Sequence, residues 1–293
     1  MEAKDGRRPI VVGYDSSSAG QPAFDWALQE AERRHVPLHL MVSRGVLYAA
    51  APTVGAASPW PYDITGELVE EARSFAASRA AGVPIVTESA FGSPASVLLN
   101  ASREAAMVVV GRRHHTVVGE AVAGSTSAQV VAHASCPVVV VDQELHAAPD
   151  APIVVAVDGS PSNGAALAFA FERAAALKAG IVAVHAWWLD VPGRVGGSWL
   201  SEDQVGEWRK SAQAVLDDAL SPWAEKFPDV SVRRVLTRDL PVDAVLAEAQ
   251  GAQLIVVGSR GHGGFAGLLV GSVSQGLLHH ERPCPLAVVH PEG

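Results

Sequence analysis

Short apolar runs alternate along the chain with longer stretches in which apolar residues recur every three or four positions. Runs rich in Val, Ile and Leu and bounded by Gly, Pro or Asp are typical of buried strands in a parallel sheet. The longer stretches predict amphipathic helices. The strands are predicted at 10–14, 38–43, 85–90, 107–111 and 138–142, and again at 153–157, 181–186, 231–236, 254–258 and 286–290. The helices are predicted at 21–35, 65–81, 94–104 and 125–133, and again at 162–178, 202–226, 242–250 and 272–280.

The order β-α-β-α-β-α-β-α-β therefore occurs twice, and the two halves also match in sequence. The matching segments are 9–17 with 152–160, 107–111 with 254–258, and 136–141 with 284–289. Such a repeat indicates a duplicated domain, and the polar stretch at 142–152 is the expected boundary. We predict one domain over 1–146 and a second over 150–293. Each is an α/β domain with helices on both faces of a parallel sheet and right-handed crossovers.

Composition excludes several classes of function. The 293 residues are 48% apolar and 18% charged, which is enough apolar material for two cores, and the net charge is −9. This charge argues against binding to nucleic acid or to anionic membranes. No apolar run approaches the roughly 20 residues of a membrane helix, and the charged segment 1–9 lacks a signal-peptide core. We therefore expect a cytoplasmic protein.

Cysteines and histidines give no strong sign of chemistry. Cys136 and Cys284 precede Pro at matching places, where small buried packing residues are the favoured interpretation over a redox pair or a metal site. The pairs 114–115 and 279–280 lack the spacing of strong metal sites. His185 is expected to be a hydrogen-bonded strand residue. No metal site and no catalytic residue is predicted.

The most informative segment is the glycine-rich stretch after the fourth strand of the second half. The apolar run 254–257 ends in this loop, and a helix is predicted to follow it. Free N–H groups at a helix N-terminus and the helix dipole favour an anion, while glycines permit a close approach of the backbone and a positive φ. We expect Ser272 to cap this helix and to donate its hydroxyl to the same anion. The glycines are Gly258, Gly261, Gly263, Gly264, Gly267 and Gly271.

The spacing Gly258, two residues, Gly261, nine residues, Gly271-Ser272 resembles the ATP-binding signature of the universal stress protein family. The resemblance covers residues from about 8 to 290 as two copies, like the tandem-domain members from actinobacteria. It implies two tandem doubly wound, five-stranded parallel sheets of strand order 3-2-1-4-5. This fold class is Rossmann-like and similar to the adenine nucleotide alpha hydrolases. Ligands of such sheets bind beyond the carboxyl ends of the strands.

The resemblance also suggests roles for the ends of the first two strands of each half. Asp15 and Asp158 follow the first strands, where family members use an Asp to contact the adenosine end of ATP. A helix N-cap or a turn former is the alternative role for an Asp at this place. A main-chain group at the end of the second strand recognises adenine in the family, and the corresponding residues are Ser43 and Ala186.

The first half has an incomplete version of the glycine motif. Gly111, Gly124 and Ser125 remain, but His114 replaces the second glycine, and the loop after it is poor in glycine. A side chain at a position that needs positive φ or a bare backbone costs about 1 kcal/mol. Arg112, Arg113 and His114 could instead attract a phosphate. We expect a weaker nucleotide site in this half, or none.

The sequence favours an ATP-binding regulatory protein of the stress response over an enzyme. It contains no Gly-x4-Gly-Lys-Ser/Thr phosphate loop and no Ser-Gly-Gly-x-Asp-Ser loop. Slow ATP hydrolysis and a structural interaction module with vestigial sites are the alternatives. The expected partners are an adenine nucleotide, with Mg²⁺ left open, a second copy in a homodimer, and an unidentified regulatory protein.

Overall fold

The computed structural model describes residues 8–17, 20–44, 65–79, 82–112, 125–142, 147–148, 150–187, 202–261 and 270–291. These residues fall into two compact units, one that ends at Asp142 and another that follows it. Each unit contains one parallel sheet and four described helices.

The first unit is built around five parallel strands. In chain order its elements are β1 (Ile10–Tyr14), α1 (Gly20–Arg34), β2 (Leu38–Arg44), α2 (Thr65–Arg79), β3 (Ile85–Phe91), α3 (Pro94–Ala101), β4 (Met107–Gly111), α4 (Ser125–His133) and β5 (Val138–Val141). Strand β1 pairs with both β2 and β4, β3 pairs with β2, and β5 pairs with β4. The order is therefore 3-2-1-4-5, as predicted.

The second unit repeats this arrangement. Its elements are β6 (Ile153–Ala156), α5 (Asn163–Leu177), β7 (Ile181–Ala186), α6 (Glu202–Lys226), β8 (Val232–Thr237), α7 (Pro241–Glu248), β9 (Leu254–Gly258), α8 (Ser272–His279) and β10 (Leu286–Val289). Strand β6 lies between β7 and β9, with β8 beside β7 and β10 beside β9. Counted within the unit, this order is again 3-2-1-4-5.

Each sheet is doubly wound because the direction of strand addition reverses at its first strand. Right-handed crossovers then place the first two helices on one face and the last two on the other. In the first unit the rings of Phe24 (α1) and Phe75 (α2) meet edge to face at 4.7 Å, and α3 packs against α4. In the second unit α5 packs against α6, and α7 against α8. The reversal leaves the carboxyl ends of the first and fourth strands as the expected place for a ligand.

Burial explains why the element boundaries could be predicted closely. The central strands are fully buried Val and Ile runs, whereas the edge strands β3 and β8 are half-exposed. The largest difference is α3, which ends at Ala101 and not at 104, because Ser102 turns its hydroxyl back to the Leu99 carbonyl. No helix in the described part of the chain combines the length and the apolar character needed to span a bilayer.

Candidate functional site

A cavity of about 510 Å³ opens at the carboxyl ends of β6 and β9 in the second unit. Its volume lies within the range of small-molecule sites. Every second-half residue that the sequence nominated lines it, although these residues come from four different segments of the chain. They are Asp158, Ala186, Gly258, Gly261, Gly271 and Ser272.

Asp158 builds a tight turn between β6 and α5. Its Oδ1 accepts hydrogen bonds from Ser160 N at 2.9 Å and from Ser160 Oγ at 2.8 Å. The turn passes through Gly159 with φ of 74°, the left-handed region that favours glycine. The turn-forming role is therefore present, and the same carboxylate faces the cavity. A carboxylate held in this way is oriented before any ligand arrives.

Backbone conformation does not require glycine at the three motif positions, because none of them has the positive φ that the sequence interpretation suggested. A Cβ at Gly261 would lie 2.3 Å from Asp158 Oδ2, and one at Gly258 would lie 3.1 Å from the Arg260 carbonyl. At Gly271 the nearest atoms would be 3.6 Å away, an ordinary contact. Gly261 is thus the position where the chain itself excludes a side chain.

The N-terminus of α8 borders the cavity. The first intrahelical hydrogen bond runs from Gln275 N–H to the Gly271 carbonyl at 2.9 Å, so the N–H groups of Ser272, Val273 and Ser274 precede it. All three residues line the cavity. The expectation that Ser272 caps the helix is wrong, because Gly271 is the N-cap residue and Ser272 is the first helical residue. The Gly271 N–H fixes this start by donating to the Ser259 carbonyl at 2.7 Å.

The end of β7 presents main-chain groups to the cavity. Val157 N–H donates to the Val184 carbonyl on one side of β7, and Trp187 N–H donates to Thr237 on the other. Because the polar groups of successive strand residues point to alternate neighbours, those of Ala186 point towards β6, which has already ended at residue 156. This geometry suits main-chain recognition of a planar base.

The first unit places its candidate residues at the corresponding strand ends. Asp15 Oδ1 accepts from Ser17 N at 3.0 Å, which repeats the Asp158 turn, and Ser16 takes the left-handed position with φ of 55°. Ser43 Oγ donates to the Gly92 carbonyl at 2.7 Å. Gly111 ends β4 and Ser125 begins α4. Gly124, Arg113 and His114 lie outside the described residues.

Larger side chains occupy two positions of the first unit that correspond to cavity-lining residues of the second. Gly13 occupies the register position of Ala156, and a Cβ there would lie 3.2 Å from Leu98 Cδ1. Leu98 is the fifth residue of α3, as the smaller Val245 is of α7, and it is buried. The strand neighbour of Gly13 is the buried Met41. The space that is open in the second unit is therefore reduced here.

The residues that follow Gly13 and Ala156 also differ in polarity between the two units. Tyr14 stands where the second unit has the cavity-lining Val157, and its hydroxyl donates to Glu71 Oε1 at 3.0 Å. Burial, followed by the Glu71 hydrogen bond and negative charge, raises the pKa of Tyr14 to about 12. The Tyr14 ring packs on Phe75 of α2. The Tyr14 side chain therefore packs against α2.

Arg112 does not point to a phosphate, contrary to the sequence-based alternative. Its side chain is fully buried, and Nη1 lies 3.3 Å from Asp142 Oδ2, itself only 7% exposed. The pairing of Gly111 with Val141 places these two residues side by side just beyond β4 and β5. The positive charge of Arg112 is therefore paired with the Asp142 carboxylate inside the unit.

Several residues of the second-unit cavity were not predicted from the sequence. Asn163 begins α5 and donates its amide N–H to the Ala156 carbonyl at 3.0 Å, and Arg260 lies between two motif glycines. Arg260 could have been predicted, because it is a cation within the glycine motif that was predicted to bind a phosphate. The apolar walls carried none, because they look like ordinary core positions. They are Val157, Val184, Pro241, Val245, Val257 and Val270.

The remaining sequence candidates have structural roles where they are described. Cys136 and Cys284 are buried thiols, and burial raises the pKa of Cys136 to about 12, although a backbone hydrogen bond and Arg8 act against it. His280 Nδ1 bonds to the Gly276 carbonyl at 2.8 Å. Within the described ranges no three His, Cys, Asp or Glu side chains are grouped to hold a metal.

Fold and site together define a class: doubly wound α/β domains with a glycine-lined cavity at the switch point. Comparison with known proteins gives the family. The family model described as universal stress protein family matches residues 6–142 and 151–290. A universal stress protein of Mycolicibacterium smegmatis is 35% identical over 292 residues, covering 96% of this chain and 97% of that one. Universal stress protein Rv2623 of Mycobacterium tuberculosis is also 35% identical over 292 residues, covering 96% of each chain.

Solved structures show the same fold at lower identity. A universal stress protein from Archaeoglobus fulgidus superposes with a TM-score of 0.67 and 18% identity, covering 97% of this chain and 98% of that chain. A functionally unknown protein from Pseudomonas aeruginosa gives a TM-score of 0.63 and 16% identity, covering 98% and 94%. The chain belongs to the universal stress protein family, as a member with two tandem domains.

Proposed function

We propose that this protein binds ATP in the second-unit cavity and acts as a nucleotide-dependent regulator of the stress response. The observation that carries the proposal is the convergence of three kinds of group on one cavity of about 510 Å³. These are the helix N–H groups of α8, the main-chain edge of Ala186 and the oriented carboxylate of Asp158. They match, in this order, a phosphate, a base and the hydroxyls of a sugar.

Binding rather than turnover is the proposed activity. The anion site is formed by backbone N–H groups and glycines, which hold a phosphate without supplying a nucleophile or a general base. The sequence has no lysine in a phosphate loop of the Gly-x4-Gly-Lys-Ser/Thr type. Nucleotide occupancy would then act by ordering groups around the cavity mouth, and so by changing what the surface can bind. The homodimer and the cytoplasmic location belong to this proposal as well.

The two units are proposed to differ in affinity. The second keeps the four motif positions, whereas the first has His114 at one of them and packs Leu98 against Gly13 where the cavity would lie. Each charge-assisted hydrogen bond to a phosphate contributes about 1.5–3 kcal/mol. The loss of one or two of them corresponds to a decrease of tenfold or more in affinity.

Calorimetric titration of the full chain with ATP, with and without Mg²⁺, tests the proposal. We expect one tight site per chain, and a Gly261→Ala variant that loses it. The nucleotide released from purified protein by denaturation, identified by mass spectrometry, tests the ligand independently. Two equal sites, or a tight site that survives Gly261→Ala, would contradict the assignment to the second unit. Light scattering of the purified protein tests the dimer.

A further inference from the structure

Among the described residues that line the second-unit cavity, His185 is the one imidazole. It is the penultimate residue of β7, and its Nδ1 lies 2.7 Å from the Val157 carbonyl oxygen. A carbonyl oxygen only accepts hydrogen bonds, so Nδ1 carries the proton and donates it. In the neutral ring Nε2 is consequently an acceptor. The backbone thus fixes the tautomer of this side chain.

His185 is close in the structure to the residues that are proposed to contact the base and the sugar of an adenosine. Ala186, whose main-chain groups are proposed to contact the base, is the next residue along β7. Asp158, with its oriented carboxylate, follows the Val157 that His185 bonds. His185 is half-buried and lines the cavity, and since its Nδ1 is engaged by the Val157 carbonyl, Nε2 is the ring nitrogen that remains to accept a hydrogen bond from a ligand. This acceptor belongs to a residue that is next to Ala186 in the chain and hydrogen-bonded to the residue before Asp158.

A purely structural role for this hydrogen bond is the alternative. The first unit argues against it, because the same register position is occupied there by Val42, which is fully buried. The strand pair β1–β2 forms with the same register as β6–β7. The fold of this strand end therefore does not need an imidazole, and the unit that has one is the unit with the open cavity.

Resting on the proposed nucleotide site, we infer that His185 Nε2 accepts a hydrogen bond from a ribose hydroxyl and so selects ribonucleotides over deoxynucleotides. A hydroxyl is a donor that fits an acceptor, and the ribose is the part of an adenine nucleotide that joins the base at Ala186 to the phosphates at α8. One neutral hydrogen bond corresponds to about a 2- to 12-fold difference in affinity.

The test compares the dissociation constants of ATP and 2′,3′-dideoxyATP, measured by calorimetry at pH 8 on the full chain. Wild-type protein is expected to bind ATP more tightly, by the factor that the His185 hydrogen bond and the Asp158 contact contribute together. His185→Asn keeps a donor near the Nδ1 position for Val157 but has no atom at Nε2, so its preference for ATP should fall by about 2- to 12-fold relative to the wild type. His185→Gln places its amide oxygen near Nε2 and should keep most of the preference. Single deoxynucleotides then identify which hydroxyl is bound.

His39→Asn is the matched control, because His39 is a half-buried strand imidazole in the first unit, and its preference should equal that of the wild type. A His185→Asn variant that folds and keeps the full preference for ATP overturns the inference. Equal wild-type affinity for both nucleotides overturns it too, while leaving the nucleotide site standing. Wild-type protein that binds neither nucleotide overturns the proposed function itself.

Discussion

Replacing Gly261 by Ala should damage both the nucleotide site and the turn beneath it. The new methyl carbon would lie 2.3 Å from Asp158 Oδ2, and carbon atoms of this kind essentially never approach within 3.0 Å of another heavy atom. The carboxylate therefore has to retreat by about 0.7 Å or more, away from a position that Ser160 holds with bonds of 2.9 and 2.8 Å. Hydrogen bonds to a charged group contribute about 1.5–3 kcal/mol each. The loss of one lowers the free energy of unfolding by about 2 kcal/mol and the ATP affinity by about tenfold or more.

Two other Gly→Ala variants separate these effects. Gly271→Ala meets no atom closer than 3.6 Å, so it should leave stability unchanged and lower ATP affinity only through its approach to the phosphate. Gly206→Ala lies in α6 with open space around it, and should raise stability by about 0.5–1 kcal/mol without affecting ATP. Urea unfolding and calorimetric titration measure both quantities. Wild-type affinity and stability in Gly261→Ala would refute the reasoning about Asp158.

Three further predictions concern stability. Gly159→Ala should lower the free energy of unfolding by about 1 kcal/mol, whereas Ser16→Gly should raise it or leave it unchanged, because both positions have a positive φ that favours glycine. Urea unfolding measures both changes, and a Gly159→Ala variant as stable as the wild type would contradict the prediction. Burial raises the pKa of Cys136 from an ordinary 9 to about 12, so the folded protein keeps the thiol proton up to a higher pH than the unfolded chain does. The contribution of this thiol to the free energy of unfolding is therefore fully present below pH 9. It falls by at most about 1.4 kcal/mol per pH unit as pH rises from about 9 towards 12. Cys136→Ala should flatten that fall. Arg112→Met should cost about 3–5 kcal/mol by leaving the Asp142 carboxylate buried without this partner, and Asp142→Leu added to it should recover part of the loss in thermal unfolding.

The strands of the sheet and the glycines that line the cavity could be predicted because their signals are local. A run such as Leu254–Gly258 is apolar throughout and bounded by glycine, which leaves few alternatives to a buried strand. The glycine motif gave residues that line the second-unit cavity, because its spacing joins that strand to a helix. It did not give the physical reason, since the glycines make room for Asp158 and the Arg260 carbonyl and do not need a positive φ.

Features that depend on register or on one residue of helix phase could not be predicted. Gly271 and Ser272 are both acceptable N-cap residues, and the choice between them depends on a hydrogen bond from Gly271 to Ser259, across the loop. The partner of Arg112 depends on the pairing of β4 with β5, which puts Asp142 beside it. Neither fact is present in the pattern of apolar and polar positions.

The contact between Leu98 and Gly13 has a thermodynamic consequence under the proposed function. A ligand that binds only the native state raises stability in proportion to the logarithm of its concentration, by about 2.7 kcal/mol at a hundred times the dissociation constant. With Leu98 packed against Gly13 and the glycine motif incomplete, the first unit is expected to gain less of this stabilisation than the second. The second unit would become more heat-resistant as the cellular ATP concentration rises. In the duplicated chain, the stability of one half would then depend on ATP, and the stability of the other half would depend on it much less.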